Sequence, residues 1–555
     1  PAAAVDGDGE PAPMRRREFE TVLLQAVPLP ASPEAFQLLT GHPTPIVVRG
    51  GAEQGQIPTQ VSVAAGARRK GDPADELDPL LAPALVRDLP GLAEALDADA
   101  MTPRLQAMLA DGWTVEWCTP GKALVEPGEG CSLRYKLGLR HPASGRLEKH
   151  LVGGRLFLDP DGAQDWLRLR LAPLAGRAAG RADLAAFDRP VDLVASLRLA
   201  LHVFPIDPEL PGLLDATDPD GLRQTLAATL ANPVEGLVLQ SCSPEVVQYA
   251  RRGRCVLRYE LLWSLGASSR TLKQVVYGKV YGDDQGASVG PAVAAVHALL
   301  GSHPGVRFLV PRFQGYLPDL RLALLEALPG TPQVPHLVRD RVNGVAPDGD
   351  RAPTLEAALD TCARIAATLH TGTDRLGRTR TLADELAAVR AELALLDPFA
   401  PALVAALEEG LTEPAMATAD TPAAHTFAHG DLTPSQVLFD GPLSGLVDLD
   451  TACVAEPALD LGQFTGYLAL TARKAERAAG HPGDRQAAVD EFLDAYLQAA
   501  DVADPAWLRD RAAAFRTVSL TRVAVHSWRQ LKPARLRLAL SLLGEQRTAR
   551  TGARS

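Results

Sequence analysis

The chain has 555 residues, of which 46% are hydrophobic and 22% charged, and it carries a net charge of −11 with a pI of about 5.6. This length is too great for a single hydrophobic core and predicts three or four packed units. The acidic balance argues against a nucleic-acid-binding or membrane-surface protein, and the absence of an apolar run of about 18 residues argues against a membrane-spanning helix. Because the sequence shows no secretory leader pattern and only scattered cysteines, we expect a soluble cytoplasmic protein.

The first segment, residues 1–88, has the composition of an N-terminal extension that is partly disordered. Within it, residues 49–78 are polar, contain glycine and show no clear period, which is typical of a mobile linker. At the other end of the chain, residues 546–555 are expected to form a disordered tail.

Two stretches of the first half resemble each other. Residues 131–163 and 255–287 align without a gap at an offset of 124, and 14 of the 33 positions are identical. We infer that a unit of about 120 residues is duplicated, although two copies are too few for a solenoid. Each copy has the pattern of a small antiparallel sheet with flanking helices. At one equivalent position the second copy has Lys279 where the first has Arg155. A compact ammonium group thus replaces a planar guanidinium group.

Beyond about residue 330 the apolar pattern becomes that of amphipathic helices. Among them, "HGDLTPSQVLFDGPLSGLVDLD" (residues 429–450) has the pattern of a loop with short strands. Three aspartates, Asp431, Asp448 and Asp450, stand at the ends of its apolar runs. Because aspartate disfavours strands, we interpret these residues as chemical groups.

Phosphoryl transfer needs a carboxylate near the acceptor hydroxyl, oxygen ligands for Mg²⁺ and a lysine against the phosphates. Asp431 can take or orient the acceptor proton, while Gln436 and Asp448 can present oxygens to a metal. Asp450 is expected on the same side of a short strand as Asp448. Lys279 lies in the middle of the strand "YGKVY", where the alternative explanation is a charge that protects a sheet edge.

The segments "HGDLTPSQVLFD", "GLVDLD" and "EPALDLG" resemble the aminoglycoside phosphotransferase and choline kinase family, which is related to protein kinases. The resemblance covers residues 207 to about 530. It implies an α+β, bilobal, protein-kinase-like fold with an antiparallel-sheet small lobe (207–330) and a mostly helical large lobe (331–545). The first copy, residues 89–206, would then be a second, degenerate small-lobe-like unit that serves as a scaffold, dimer surface or lid.

The resemblance also implies the roles of the main active-site residues. Asp431 would be the catalytic base, and Asp448 and Gln436 would hold Mg²⁺. Lys279 would contact the α- and β-phosphates of ATP.

Further residues take accessory roles in this interpretation. Backbone groups near Glu326 and Leu328, in "LLEALPG", would hold the adenine ring. His429 is interpreted as a structural hydrogen-bonding residue, Asp450 as an accessory acid, and Asp460 as a structural residue that braces the active-site loops near a helix start.

The sequence departs from the family pattern at three points. Gln436 stands where the family usually has asparagine, and the helix after Lys279 contains no acid that could pair with that lysine. No glycine-rich loop covers the phosphates, so a cluster of arginines in one turn is considered as its substitute: Arg251, Arg252 and Arg254.

The leading hypothesis is an ATP- and Mg²⁺-dependent enzyme that transfers the γ-phosphoryl group to a hydroxyl of a small molecule, such as an aminoglycoside, a sugar or an amino alcohol. Acidic residues at Asp384, Glu385 and Glu392 would favour a cationic acceptor, although such residues usually form a solvated helix face. The alternative is a catalytically impaired pseudokinase that acts as a nucleotide-binding, regulatory or scaffold module. Formation of a homo-oligomer through the N-terminal repeat is a further hypothesis.

Overall fold

The computed structural model describes residues 83–121, 123–230, 236–250, 253–265, 271–303, 307–345, 353–411 and 424–552. The predicted linker at residues 49–78, most of the N-terminal extension and the last three residues therefore lie outside the described residues. In the part of the chain that the structure describes, no helix is long and apolar enough to cross a membrane.

The first unit is a six-stranded antiparallel sheet with helices at its sides. Its strands lie in the order β1-β3-β4-β6-β5, and β2 pairs with β3. The strands are β1 (Thr114–Pro120), β2 (Leu124–Glu126), β3 (Gly130–Arg140), β4 (Leu147–Phe157), β5 (Val191–Val194) and β6 (Leu199–Val203). The helices are α1 (Pro83–Asp88), α2 (Leu92–Ala95), α3 (Ala98–Gln106), α4 (Pro160–Asp165) and α5 (Ala172–Arg177).

The second unit contains a five-stranded antiparallel sheet in the order β7-β8-β9-β11-β10. The strands are β7 (Leu237–Ala250), β8 (Arg254–Leu265), β9 (Thr271–Tyr281), β10 (Phe313–Leu317) and β11 (Leu322–Glu326). The helices are α6 (Leu213–Ala216), α7 (Pro219–Thr229) and α8 (Val289–Ser302). Alternate residues of β8 and β9, such as Leu257, Tyr259 and Val276, are buried in the core under one face of the sheet, which leaves the other face for Lys279.

The two sheets have corresponding strand orders and registers. Arg155 on β4 pairs with Ser132 and Ala200, and Lys279 on β9 pairs in the same way with Val256 and Ala323. The short strand β2 is an addition of the first unit. These registers agree with a duplication. That the two units have a common origin stays a prediction.

The third unit is mostly helical. Its helices are α9 (Val334–Val342), α10 (Leu355–Leu369), α11 (Leu382–Leu396), α12 (Pro401–Leu411), α13 (Ala458–Ala479), α14 (Arg485–Ala500), α15 (Pro505–Arg529) and α16 (Pro533–Gly552). Short strands form a hairpin and a small sheet: β12 (Thr379–Arg380), β13 (Thr426–Ala428), β14 (Val437–Asp440), β15 (Leu443–Leu446) and β16 (Cys453–Ala455). A sheet lobe followed by a helical lobe confirms the predicted α+β, kinase-like fold class.

The expected tail at residues 546–555 overlaps the last helix of the described chain, and its boundary stays a prediction. Helix α16 continues to Gly552. The stretch "QRTARTG" contains no proline that would end the helix, and α16 packs against α15 and α13.

The first unit packs against the helical lobe. One hydrophobic core runs through both of them and also includes α8, whereas one face of the second sheet, together with α6 and α7, surrounds a separate core. At the junction, Val125 on β2 is buried, and its carbonyl oxygen accepts a hydrogen bond from Nε of Arg529 at 3.0 Å. The added strand β2 therefore provides a contact between the first unit and the end of α15.

Candidate active site

The loop at residues 429–431 follows the buried strand β13. The backbone N–H groups of His429 and Gly430 donate to the two carboxylate oxygens of Asp460, at 2.7 Å and 2.9 Å. Gly430 has a φ of +81°, and a Cβ at this position would collide with the carbonyl oxygen of Thr451. Only glycine fits both constraints, so the sharp turn before Asp431 is determined by Gly430 and Asp460.

Asp460 has the contacts of a bracing residue. It lies fully buried in the first turn of α13, and Nε2 of His370 is 3.2 Å from its Oδ2 atom. Nδ1 of His370 lies 2.7 Å from the Tyr496 hydroxyl. Burial alone would raise the pKa of the Asp460 carboxyl, but the hydrogen bond and charge of His370 and the backbone bond from His429 lower it. Asp460 is therefore held ionised under the loop.

The carbonyl oxygen of Gly430 is held from the opposite side. It accepts hydrogen bonds from Nη1 of Arg380 at 2.6 Å and from Nε2 of Gln463 at 3.1 Å. Ring atom Nε2 of His429 lies 3.1 Å from the carbonyl oxygen of Val447, which gives His429 structural contacts. Both peptide groups that precede Asp431 are thus fixed by buried side chains.

Asp431 itself is left accessible for chemistry. It is half-buried, and its carboxylate accepts no hydrogen bond from the residues that the structure describes. Burial, followed by the negative charge of Asp448, raises the pKa of Asp431 to about 6. A carboxylate whose pKa is near the working pH suits proton transfer from an acceptor hydroxyl.

Asp448 follows the hairpin of β14 and β15 and turns the chain. Its backbone is left-handed, with a φ of +72°, which aspartate tolerates better than most residues. Residues Leu449–Thr451 then form a single 3₁₀ turn. The expectation that Asp450 lies on a strand with Asp448 is therefore wrong, because the left-handed residue ends the extended chain.

Lys279 meets both of these aspartates across the boundary between the lobes. Its Nζ atom lies 2.6 Å from Oδ1 of Asp448 and 2.6 Å from Oδ1 of Asp450. Burial alone would lower the pKa of the ammonium group, but the two carboxylates outweigh burial and raise it. Strand β9 lies inside the sheet and Lys279 is only 7% exposed, so the alternative of an edge-protecting charge is excluded.

Arg254 is the second cation at this point. Its Nη1 atom lies 3.0 Å from Oδ2 of Asp450 and 3.5 Å from Oδ1 of Asp448. Burial opposes ionisation of Asp448, but Lys279 and Arg254 together hold the pKa of its carboxyl well below the ordinary range. Of the three arginines considered for the phosphates, Arg254 is thus at the site, while Arg251 and Arg252 lie outside the described residues.

Gln436 is buried at the start of the hairpin. Its Oε1 atom accepts a hydrogen bond from the backbone N–H of Thr433 at 2.7 Å. An amide oxygen has two lone pairs, so one remains for a further partner. The assignment of Gln436 as a metal ligand stays a prediction.

The connection after β11 occupies the predicted adenine position. The backbone N–H of Glu326 donates to the carbonyl oxygen of Arg312 at 2.9 Å, while Leu328 has no backbone hydrogen bond within the described ranges. Next to it, an apolar cluster lies on the same face of the sheet as Lys279. Its members are Val247, Val256 and Tyr277, with Val275 and Ala327 packed against them.

Comparisons with known proteins show what the chain is similar to. Residues 288–515 match the family model described as the phosphotransferase enzyme family. The matched segment covers 228 of the 555 residues of the chain. The match includes α8, the connection after β11, the loop at residues 429–431 and Asp448. It confirms the resemblance and the enzyme class predicted from the sequence. Among curated proteins, none matches the chain at a significant level.

Three solved structures are similar to this chain at low sequence identity. A macrolide 2′-phosphotransferase, MphH from Brachybacterium faecium, is 18% identical over 58% of this chain and 97% of its own, with a TM-score of 0.35. A glucosamine kinase in complex with glucosamine, ADP and inorganic phosphate is 19% identical over 60% and 87%, with a TM-score of 0.38. The GDP complex of an aminoglycoside 2′-phosphotransferase-IIIa is 15% identical over 56% and 94%, with a TM-score of 0.34.

The phosphotransferase site has donors that suit Mg²⁺. Oδ2 of Asp448 accepts no hydrogen bond in the described part of the chain, and two cations already lie against Oδ1. No group of at least three His, Cys, Asp or Glu side chains that could hold a metal occurs among the described residues. Mg²⁺ usually binds through one or two carboxylates together with substrate phosphates, so the donor set fits this ion when phosphates complete it.

Sequence reasoning missed several residues of the site. Tyr277 has a signal in the sequence, because strand alternation puts it on the same face as Lys279. His370, Arg380, Gln463 and Tyr496 have none that a local pattern could supply, since each meets the loop only through tertiary packing.

Proposed function

We propose that this small-molecule phosphotransferase uses ATP and Mg²⁺ and transfers the γ-phosphoryl group to an acceptor hydroxyl. The observation that carries the proposal is the pair formed by Lys279 and Asp448, at 2.6 Å across the two lobes. Beside it, Asp431 has a raised pKa, and its carboxylate accepts no hydrogen bond from the described residues. Together these residues supply the cation, the metal ligand and the base that phosphoryl transfer needs.

The proposed roles follow from the charges of the side chains. Lys279 and Arg254 bind phosphate oxygens, and Asp448, with Gln436, holds Mg²⁺. The ion, when bound, supplies neutralisation of charge on the transferred phosphoryl group. Asp431 accepts the hydroxyl proton on its carboxylate and orients the attacking oxygen.

The base of the nucleotide is proposed to lie on the apolar cluster around Tyr277 and Val256. An aromatic ring and a branched side chain offer a flat, apolar contact for a purine. Leu328 is proposed to add backbone hydrogen bonds at the edge of the base, and Glu326 to border the same position. Adenine and guanine are both compatible with these contacts.

The acceptor class stays open among an aminoglycoside, a sugar and an amino alcohol. The acids considered as evidence for a cationic acceptor have partners inside the protein. Glu385 is buried against Arg380 and Arg522, Asp384 caps α11, and Glu392 lies 3.6 Å from His526. These residues therefore give no preference for a cationic acceptor. A cytoplasmic location, and self-association through residues 89–206, stay predictions from the sequence.

The second candidate function is a nucleotide-binding pseudokinase. The hydrogen bond that engages Oε1 of Gln436 favours it, whereas the accessible carboxylate of Asp431 opposes it. Thermal unfolding with and without Mg·ATP, on the wild type and on Asp448→Asn, tests metal-nucleotide binding. Ligand at about a hundred times its Kd should add about 2.7 kcal/mol to the free energy of unfolding. A gain that Asp448→Asn loses, followed by turnover of ATP with an acceptor, supports the enzyme; binding without any turnover supports the pseudokinase.

A further inference from the structure

Asp450 is a buried carboxylate that three side chains of a single sheet hold between the lobes. Its Oδ1 atom lies 2.6 Å from Nζ of Lys279. Its Oδ2 atom accepts the Tyr281 hydroxyl hydrogen bond at 2.6 Å and lies 3.0 Å from Nη1 of Arg254. Only 6% of Asp450 is exposed, so its contacts are those of a fixed residue.

The surroundings of Asp450 explain why this acid is needed. Helix α8, with the sequence "VGPAVAAVHALLGS", contains no acidic residue that could reach Lys279. The 3₁₀ turn that carries Asp450, residues Leu449–Thr451, packs against α8. Asp450 therefore supplies a negative charge at the place between helix and sheet where α8 supplies none.

The two neighbouring aspartates differ in the number of their free lone pairs. A carboxylate offers about four acceptor positions, and three of those of Asp450 are taken, with both oxygens engaged. Asp448 accepts on Oδ1 alone, and its Oδ2 atom has no hydrogen-bond partner in the described ranges. A small cation that requires oxygens at about 2.0–2.1 Å can approach Asp448 without breaking a contact, whereas at Asp450 it meets an ammonium and a guanidinium group.

Arg254 is fixed by its own turn as well as by Asp450. It follows Gly253, whose φ is +62° and whose carbonyl oxygen accepts a hydrogen bond from the N–H of Gly282 at 2.6 Å. Gly282 follows directly after Tyr281, the residue that donates to Asp450. The turn before β8 and the end of β9 are thus tied together at the point where both cations lie.

We propose that Asp450 is a positioning residue and not a metal ligand: it holds Lys279 and Arg254 side by side as a two-cation clamp for the phosphates. This inference rests on the proposed phosphotransferase function. In this inference, Asp450 pairs with Lys279 in place of an acidic residue on α8. When Asp448 binds the metal ion, Lys279 and Arg254 still share Asp450 as a hydrogen-bond acceptor.

The test compares Asp450→Asn with Asp448→Asn in the full chain. Binding of Mn²⁺ in the presence of ADP, followed by electron paramagnetic resonance, reports the metal site without turnover. We expect Asp450→Asn to bind the same number of Mn²⁺ ions as the wild type, with an affinity within about threefold, and Asp448→Asn to lose the tight site. A lost ion, or an affinity at least tenfold weaker in Asp450→Asn, would overturn the assignment.

Kinetics provide the second readout. A merely structural role of Asp450 would not lower kcat while leaving the affinity for ATP unchanged. Asp450→Asn removes a negative charge beside the phosphates, so its affinity for ATP without metal should be unchanged or higher. Its kcat for ATP, with water or an acceptor, should fall at least about tenfold because the cations are no longer aligned. Tyr281→Phe, which keeps the carboxylate and removes one donor, should lower kcat by a smaller factor, and Asp450→Glu should recover part of the loss.

The outcomes separate this inference from the proposed function. A wild type that binds no Mn²⁺ with ADP and turns over no ATP contradicts the phosphotransferase proposal itself. A wild type that does both, together with an Asp450→Asn variant of normal kcat per folded molecule, contradicts only the positioning role. Thermal unfolding of each variant gives the folded fraction that this comparison requires.

Discussion

Lys279 and Asp448 lie 169 residues apart in the chain, and their Nζ and Oδ1 atoms lie 2.6 Å apart in the structure. The lysine belongs to the central part of the second sheet, and the aspartate to the loop after the hairpin of the helical lobe. This contact joins the two lobes at the proposed phosphate-binding position. Both partners are nearly buried, at 9% and 13% side-chain exposure, so the pair depends on the exact arrangement of the lobes.

Replacing Lys279 by methionine should abolish most of the activity. We expect kcat/KM for ATP to fall by about 100-fold or more, because a preorganised cation near the phosphates is lost. The free energy of unfolding should also fall, by about 1–3 kcal/mol, since two buried carboxylates lose the ammonium group that both of them contact. Turnover assays and thermal unfolding measure the two effects.

Lys273→Met is the matched control for that variant. Lys273 lies on the same strand, but its side chain is 74% exposed and forms only a surface ion pair with Glu260. Such pairs contribute little, so activity and stability should stay near those of the wild type. If Lys279→Met and Lys273→Met lost equal activity and stability, Lys279 would act only through the total charge of the sheet and not through its contacts.

The activity should depend on the ionisation of Asp431. The carboxylate must be unprotonated to accept the hydroxyl proton, and its pKa is raised to about 6. We therefore expect kcat/KM to fall as the pH decreases through about 6, because this parameter reports groups of the free enzyme. An acid limb that stays near pH 4, or one that persists in Asp431→Asn, would contradict the role of Asp431.

The same pKa makes Asp431 unfavourable for stability at neutral pH. Its folded-state pKa lies above its unfolded value, so its contribution to stability is fully present below about pH 4 and is lost as the pH rises through about 6. A shift of about two pKa units corresponds to up to about 3 kcal/mol. Asp431→Asn should thus raise the melting temperature at pH 8 and have little effect at pH 4. If Asp431→Asn changes the melting temperature by the same amount at pH 4 and at pH 8, the buried-charge explanation is contradicted.

Asp460 should matter for both stability and turnover. Asp460→Asn leaves the same shape but removes the charge that faces His370 and two backbone N–H groups. We expect a loss of about 2–4 kcal/mol in the free energy of unfolding and a lower kcat from a less ordered loop. The exposed Asp440 on β14 serves as the control, since Asp440→Asn should change neither quantity.

Gly430 and Gly441 form a pair of tests for the turn before Asp431. Both have a positive φ, +81° and +56°, but a Cβ at Gly441 would meet open space, whereas one at Gly430 would collide with Thr451. Gly441→Ala should therefore cost only about 1–2 kcal/mol for the left-handed backbone. Gly430→Ala should cost clearly more in chemical denaturation and should also reduce kcat, because relief of the collision displaces Asp431. Equal costs would show that the collision has no effect.

Local patterns of the sequence determined much of this protein. The alternation in "CVLRYEL" and "VVYGKVY" gave β8 and β9 with Lys279 on the face away from the core, because side chains alternate along a strand. The glycine of "HGD" and the aspartate that follows it were recognisable as a turn from the local sequence, because glycine readily adopts a positive φ. The acids at the ends of the apolar runs were recognisable because aspartate is disfavoured in strands.

Only the tertiary structure decided which of these groups meet. Asp450 was expected on a strand beside Asp448, and instead the left-handed Asp448 turns it toward Lys279, Tyr281 and Arg254. The brace from His370 to Asp460 joins residues 90 positions apart, and the contact of Arg529 with Val125 joins residues 404 apart. Sequence periodicity specifies the face of each element and its local turns, whereas contacts across such distances depend on how the lobes pack, which no local pattern encodes.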